Sequence, residues 1–334
     1  MRITFLIIVS LLFSCKENYE VPNHTPGVVK VFDDLLMVAY GEGGLVISSE
    51  NSGQILTQIF PPNGMNSIDD FDVDGDLIFV LDSRGRDFMA VFSFDGNNVS
   101  LVSDPVTVEG GPFNGISAVS GNLVVSGGTT FLNRFTYSEK GDVQGPISFG
   151  RDRGHPDVLL STNGQAAFIS TDFGIGLDIE RFGVTSLFIG DELDIPYVIS
   201  ELGIAESGLT EGLTSPVGFP IQSVIYNDNL LVAHGGGLTI IDLIEDYVFG
   251  SNNMIDIGIN AISVDVDSDI AYVIGYQETI PSLVRVDITD LSAPTIISTE
   301  ALPTNGSIPT SVAVGTSNVY IAAGKAGLIT LPKN

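Results

Sequence analysis

Asn229-Leu230-Leu231-Val232-Ala233, followed after a short glycine loop by Gly237-Leu238-Thr239-Ile240-Ile241-Asp242, carries a pattern that recurs along the whole chain. A turn ending in Asp or Asn leads into an apolar strand, and a Gly-rich loop leads into a second strand that opens with Leu. Asp34-Leu35-Leu36-Met37-Val38 followed by Gly44-Leu45-Val46-Ile47 is a second clear copy. Val, Ile and Leu in short runs, broken every few residues by Gly, Asn, Asp or Ser, are the signal of many short strands. Beyond the N-terminal leader no run has helical spacing, so the class is all-β.

Working outward, the first residue of the apolar strand recurs at Leu35, Leu77, Leu123, Ala166, Leu230, Ile270 and Val319, with steps of 42, 46, 43, 64, 40 and 49. A period of about 40 to 50 residues with four strands per unit is the size of a β-propeller blade. Seven anchors predict a seven-bladed β-propeller of four-stranded antiparallel blades over 28–334. Each unit opens with an inner strand, such as Ile262-Ser263-Val264-Asp265 or Thr310-Ser311-Val312-Ala313-Val314. It ends with an outer strand, such as Ile55-Leu56-Thr57-Gln58-Ile59. The last unit stops after its third strand, Gly327-Leu328-Ile329-Thr330-Leu331, so the residues around Tyr19 to Pro22 are expected to supply the fourth and close the ring from both chain ends. The competing all-β arrangement is a pair of β-sandwich domains, which the unbroken period disfavours.

Ser282-Leu283-Val284-Arg285-Val286-Asp287-Ile288-Thr289-Asp290-Leu291-Ser292-Ala293-Pro294 resembles the LVIVD repeat, with shorter matches at Gly44 to Ser48, Gly237 to Asp242 and Gly327 to Leu331. Leu291 stands where that family often has Pro, and Ser48 departs from its usual Val-Asp ending. The resemblance implies a β-propeller, often on a bacterial lipoprotein, and brings no catalytic residues with it.

Residues 1–14 read as a signal peptide: a basic start, an apolar run of about ten residues, and a small residue before Cys15. The run is too short to span a bilayer, which takes about 20 residues. Leu12-Phe13-Ser14-Cys15 resembles the bacterial lipobox, which implies lipidation of Cys15 and a mature chain that begins there. Residues 15–27 are then a lipid-anchored tether that includes the closing strand. Lys16-Glu17 and Glu20 resemble the charged tether of lipoproteins exported to the surface of Bacteroidota, which implies the outer membrane, surface-exposed rather than periplasmic.

The chain has 334 residues, 13 Lys+Arg against 41 Asp+Glu and a formal charge of −28, yet 44% of it is hydrophobic and only 16% charged. Enough apolar side chain is present to bury a large core. Nucleic acid is excluded as a partner, because that binding needs clustered Lys and Arg against phosphate. A single cysteine and no tryptophan rule out an internal disulfide, a thiolate zinc site, and the Trp-marked signatures of sialidase, quinoprotein and WD40 propellers.

Asp69, Asp70, Asp72, Asp74 and Asp76 form the densest acidic run, with Asp72, Asp74 and Asp76 as a weak calcium candidate. The repeat reads the run chiefly as turn chemistry, because Asp265, Asp267 and Asp269 fill the same place in the sixth unit. His234-Gly235-Gly236-Gly237 resembles an esterase oxyanion loop, but no Gly-x-Ser-x-Gly elbow accompanies it, so a blade hairpin is expected. Arg84 and Arg86 fall in a loop between second and third strands, and Arg151, Arg153 and His155 in a loop joining blades. Both loop types open on one face, where forked guanidinium donors suit an oxyanion or an acidic partner loop; Asp82, Asp87, Asp152 and Asp157 are there to neutralise them. Residues 182–284 hold 15 Asp or Glu and no Lys or Arg, an anionic sector over units five and six. The 64-residue step marks an insertion near 192–219, either a partner-binding loop or a plug for the channel.

These features predict a non-catalytic, lipid-anchored envelope propeller that binds or scaffolds a protein partner, with no cofactor. The alternatives are an enzyme acting on carbohydrate or peptide at the loop face and a calcium-assisted adhesin.

Overall fold

Two-residue turns set the blades. Asp33, Ser120, Asn227 and Ser268 open the turn between the first and second strands at φ values of 52°, 50°, 51° and 53°. Asn, Asp and Gly tolerate that left-handed conformation, and such turns match the natural twist of paired strands. The computed structural model describes residues 25–83, 88–96, 98–108, 113–127, 131–150, 158–175, 179–189, 197–206, 220–244 and 247–333.

Seven antiparallel blades follow in chain order. The first is β1 (Val28–Phe32), β2 (Leu35–Ala39), β3 (Leu45–Ser49) and β4 (Ile55–Ile59). The second is β5 (Asp70–Asp74), β6 (Leu77–Asp82), β7 (Phe88–Phe94) and β8 (Val99–Leu101), with the short β9 (Val106–Thr107) also paired to β7. The third is β10 (Phe113–Val119), β11 (Asn122–Gly127), β12 (Phe131–Tyr137) and β13 (Val143–Gly150). The fourth is β14 (Val158–Leu160), β15 (Ala166–Ile175), β16 (Ile179–Phe188) and β17 (Tyr197–Glu206). The fifth is β18 (Pro220–Tyr226), β19 (Asn229–His234), β20 (Gly237–Ile244) and β21 (Val248–Ile255). The sixth is β22 (Asn260–Asp267), β23 (Ile270–Gln277), β24 (Ile280–Asp287) and β25 (Thr295–Ala301). The seventh shows β26 (Ser311–Val314), β27 (Asn318–Ala322) and β28 (Leu328–Pro332) among the described residues. The expected closing strand at Tyr19 to Pro22 lies outside them. All seven sequence anchors open a second strand to within one residue.

Each inner strand lies against the next: β1, β5, β10, β14, β18, β22, β26 and back to β1. This closes the ring. Its core is divided into seven apolar wedges, one at each junction between blades. β6 shows why middle strands read as continuous apolar runs: Ile78 and Val80 enter the wedge toward blade one, while Leu77, Phe79 and Leu81 enter the wedge toward blade three. A strand buried on both faces has no polar alternation to show.

Two expectations change. Of the five clustered aspartates, Asp70, Asp72 and Asp74 lie on the inner strand β5, and only Asp76 stands in the turn, beside Gly75. The stretch expected as an inserted loop near 192–219 is in part regular: Tyr197–Glu206 is β17, the outer strand of blade four, paired to β16. Those residues neither plug the channel nor form a loop. The rest of that stretch, 192–196 and 207–219, lies outside the described residues.

Candidate functional site

The seven inner strands enclose a channel of about 380 Å³. Lys30, Asp70, Asp72, Asp265 and Gln222 are its main polar wall groups, set among apolar residues such as Val28 and Leu159. Alternation along a strand turns every second inner-strand residue toward the channel side. Most of these polar groups are committed to the neighbouring blade. The Asp70 and Asp72 carboxylates accept the backbone N–H of Ile116 (3.1 Å) and Ala118 (2.8 Å), from blade two to blade three. Ser117 Oγ accepts from Leu160 N (3.1 Å), from blade three to blade four. Ser263 Oγ and Asp265 Oδ2 accept from Val312 N (3.0 Å) and Val314 N (2.7 Å), from blade six to blade seven. Ser311 Oγ accepts from Val29 N (3.3 Å), from blade seven to blade one. Ser263 also donates to Gln222 of blade five. Wide staves cannot pair backbone to backbone around a channel, so side-chain acceptors bridge them and satisfy donors that would otherwise be orphaned.

Basic groups do the same work. Lys30 Nζ sits 3.1 Å from Asp72 Oδ1 across the first junction. Arg285, nearly buried, donates to Glu300 Oε2 (3.1 Å), Ser298 Oγ (3.3 Å) and the Pro332 carbonyl (3.1 Å) of blade seven. Lys333 pairs with Asp267 at 2.5 Å, and Tyr272 Oη donates to the Lys333 carbonyl. At the last junction Tyr320 Oη donates to the buried Glu50 carboxylate at 2.9 Å. No local sequence signal marks Glu50, Arg285 or Lys333 for these roles: Tyr320, Pro332 and Asp267 lie in neighbouring blades, and Arg285 reaches Ser298 and Glu300 on the next strand of blade six.

Burial shifts two of these titrations. Asp265 is pushed up to about 6, chiefly by desolvation, against the pull of its two backbone donors. His234 is pushed down to about 4 by burial in the β19–β20 hairpin. Its Nδ1 accepts from Gly236 N at 3.0 Å, which assigns the proton to Nε2, 2.8 Å from Thr239 Oγ1. His234 is thus a neutral hairpin clamp, and the Gly236 N–H that an oxyanion would need is already used.

The calcium candidates do not converge. Asp72 serves Ala118 and Lys30, Asp74 Oδ2 accepts from Tyr137 Oη at 2.5 Å, and Asp76 offers its carbonyl to Phe94 N. Tyr137 is pushed above its ordinary range by burial and then by that carboxylate. Among the described residues no group of three His, Cys, Asp or Glu is arranged to hold a metal ion. Cys15, Arg84, Arg86, Arg151, Arg153 and His155 lie outside the described residues.

The fold and its site define a seven-bladed β-propeller. No sequence family and no curated protein matches the chain. Among solved structures it is similar to U3-55K, at a TM-score of 0.65 and 10% identity over 91% of this chain and 90% of that one. The WD40 repeats of RRP9 match equally, at a TM-score of 0.65 and 10% identity over 91% and 89%. At that identity the likeness is one of fold. The chain forms this seven-bladed fold without a single tryptophan.

Proposed function

We propose that this chain is a lipid-anchored propeller of the bacterial cell envelope, akin to LVIVD-repeat lipoproteins of the Bacteroidota, that holds a protein partner without catalysis. The observation that carries the reading is the commitment of the channel's carboxylates, hydroxyls and ammonium to neighbouring blades, which makes the ring a rigid frame. Rigid frames with variable loops are a common basis for recognition. The leader at 1–14 and the lipobox at Cys15 support the anchor, and the Ser282 to Pro294 repeat supports the family. In this reading the segment around Tyr19 to Pro22 supplies the fourth strand of blade seven, and the anchor holds the ring at the outer membrane facing the medium.

Affinity capture from detergent-solubilised membranes tests it. A stoichiometric envelope partner, lost from the membrane fraction along with the propeller in Cys15→Ala, supports the reading. A lone protein that turns over glycan or peptide substrates refutes it. Protease shaving of whole cells decides the side of the membrane.

A further inference from the structure

At the foot of the apolar wedge between blades four and five the surface opens into a cleft of about 430 Å³, on the face of the first-to-second-strand turns, opposite the loop face. In the other six blades two residues join the first strand to the second. In blade four Ser161 N donates to the Ala166 carbonyl (2.8 Å), and Thr162 to Gln165 form a longer, four-residue turn that makes one wall of the cleft. Within it Asn163 Oδ1 accepts from Ser161 Oγ (2.8 Å) and Gln165 N (3.0 Å), and Asn163 Nδ2 donates to Gln165 Oε1 (3.3 Å). These bonds decide which way the Asn163 amide faces and hold the turn in one shape.

The facing wall is the turn of blade five, Asn227 and Asp228, tied to the end of β20 by the Leu243 N–H on the Asp228 carbonyl (2.8 Å). Tyr247, just before β21, completes it. Among the described residues Tyr247 is the one aromatic residue with a left-handed backbone, at φ 61°, a conformation that bulky L-residues avoid. Its ring is held edge-on to the buried Phe168, with centroids 6.1 Å apart and planes at 72°. Strain of that kind gathers at ligand sites, where the surrounding structure holds one side chain in one place. Beside it Ile244 is 50% exposed, an apolar side chain on a polar cleft.

The lining narrows the class of ligand. Thr162, Asn163, Asn227 and Asp228 are exposed, unlike the channel groups that are tied to blade seams. Amides and hydroxyls both donate and accept, as sugar hydroxyls do, and a carboxylate accepts from a hydroxyl. Tyr247 and Ile244 offer apolar surface to the C–H face of a sugar ring. Among the described residues no Lys or Arg lines the cleft, and Asp228 repels anions, so phosphates and acidic sugars are disfavoured. The volume suits a small-molecule site, for which about 300–1,000 Å³ is usual. We propose that this cleft binds a neutral carbohydrate chain, with Tyr247 and Ile244 against a ring face and Asn163, Asn227 and Asp228 on its hydroxyls. The site stands apart from the envelope reading above and adds a ligand to it.

Titration of the mature chain with the hexaoses of glucose, mannose, galactose and xylose, each up to about 1 mM, tests it by tyrosine fluorescence and hydrogen exchange. At least one hexaose is expected to bind, with slowed exchange of the amides of 162–165, 227–228 and 243–244. Its affinity should fall about tenfold or more in Asp228→Ala and in Tyr247→Asn. Asparagine tolerates the left-handed backbone at 247, so an intact melting transition shows that the site and not the fold was lost. Should Tyr247→Asn fail to fold, the exposed Asp228→Ala and the exchange map of the unaltered protein still decide. Absence of binding by all four hexaoses overturns the proposal, as does protection confined to another face or equal affinity in both variants. Tighter binding of hexagalacturonate than of every neutral hexaose overturns the neutral class. Hydrolysis of the bound sugar would sink the non-catalytic reading above and leave this site standing.

Discussion

Gly44, Gly237 and Gly327 occupy the same place in their repeats, just before the Leu that opens the third strand, and substituting each by alanine separates two costs. All three have positive φ, at 82°, 125° and 82°. An alanine there adopts a backbone that L-residues disfavour by about 1–2 kcal/mol. At Gly44 the new Cβ would stand 2.0 Å from the Ile59 carbonyl oxygen, and at Gly237 2.3 Å from that of Ile255. Both oxygens belong to the end of the blade's outer strand, so the ladder itself must shift, and such overpacking costs a further 1–3 kcal/mol or so. At Gly327 no atom of the described residues lies within 4 Å, because no described fourth strand crosses it. Gly44→Ala and Gly237→Ala should each lose about 2–5 kcal/mol. Gly327→Ala discriminates the ring's closure. In a chain beginning at residue 25 it should lose only the backbone cost of about 1–2 kcal/mol. In a soluble chain beginning at residue 16 it should join the costly pair, if the N-terminal segment seats a carbonyl where Ile59 and Ile255 seat theirs. Urea unfolding of the four proteins, followed by tyrosine fluorescence and circular dichroism, reads the differences. A Gly327→Ala cost that is the same in both chain lengths refutes the closing strand, and a Gly44→Ala protein as stable as its parent refutes the reading of the clash.

Acidification acts on two buried groups with opposite signs. His234, held near 4 when folded against 6.5 when free, contributes stability that is complete above pH 6.5 and lost as pH falls toward 4, about 3 kcal/mol in all. Asp265, raised to about 6 from 3.8, is destabilising at neutral pH and returns a similar amount over the same descent. Asp265→Asn should therefore make the unfolding midpoint fall more steeply between pH 6 and 4, and an unchanged profile would refute the assignment. Arg285→Met removes one hydrogen bond that ties blade six to Pro332 and two that tie β24 to β25, and should cost about 2–4 kcal/mol, less than a fully buried pair because Glu300 is half-exposed; melting and C-terminal proteolysis report it. Asp72→Ala should cost about 1–3 kcal/mol through the lost bond to Ala118 and the lost ion pair with Lys30, whereas EDTA should leave the parent's melting temperature unmoved. A melting temperature that drops with EDTA would restore the calcium reading.

The repeat was legible because it is local. Each anchor from Leu35 to Val319 lies within a few residues of the turn and the glycine loop that frame it, and those residue types act through their own backbone conformation. Acidic residues were harder to read for the same reason. Asp72 and Asp76 are alike as letters, yet one sits on a strand and reaches Ala118 forty-six positions away, while the other sits in a turn. Period alone placed both at the blade's first corner. In blade four a long step has two solutions, an inserted loop or longer strands, and at Tyr197–Glu206 the chain takes the second. Apolar runs such as Tyr197 to Ile199 satisfy either, and only pairing to β16 decides.

The charge imbalance also acquires a physical reading from the junctions. Carboxylates on inner strands serve as acceptors for the next blade's N–H groups, a role that serine fills at Ser117, Ser263 and Ser311 without charge. Where aspartates take that role, a basic residue stands close by: Lys30 reaches Asp72 from the opposite seam, at the first junction, and Lys333 lies beside Asp267, the neighbour of Asp265 on β22, at the sixth. Arg285 braces that sixth seam from the other side of the blade. At the seventh junction the clasps are hydroxyls, with Ser311 and Thr310 bonded to Val29 and Gly27. Lys30 and Lys333 therefore each neutralise an inner-strand aspartate beside a seam where like charges would otherwise repel in a low dielectric. A cation that reached these carboxylates would have to displace a lysine or an amide already in place.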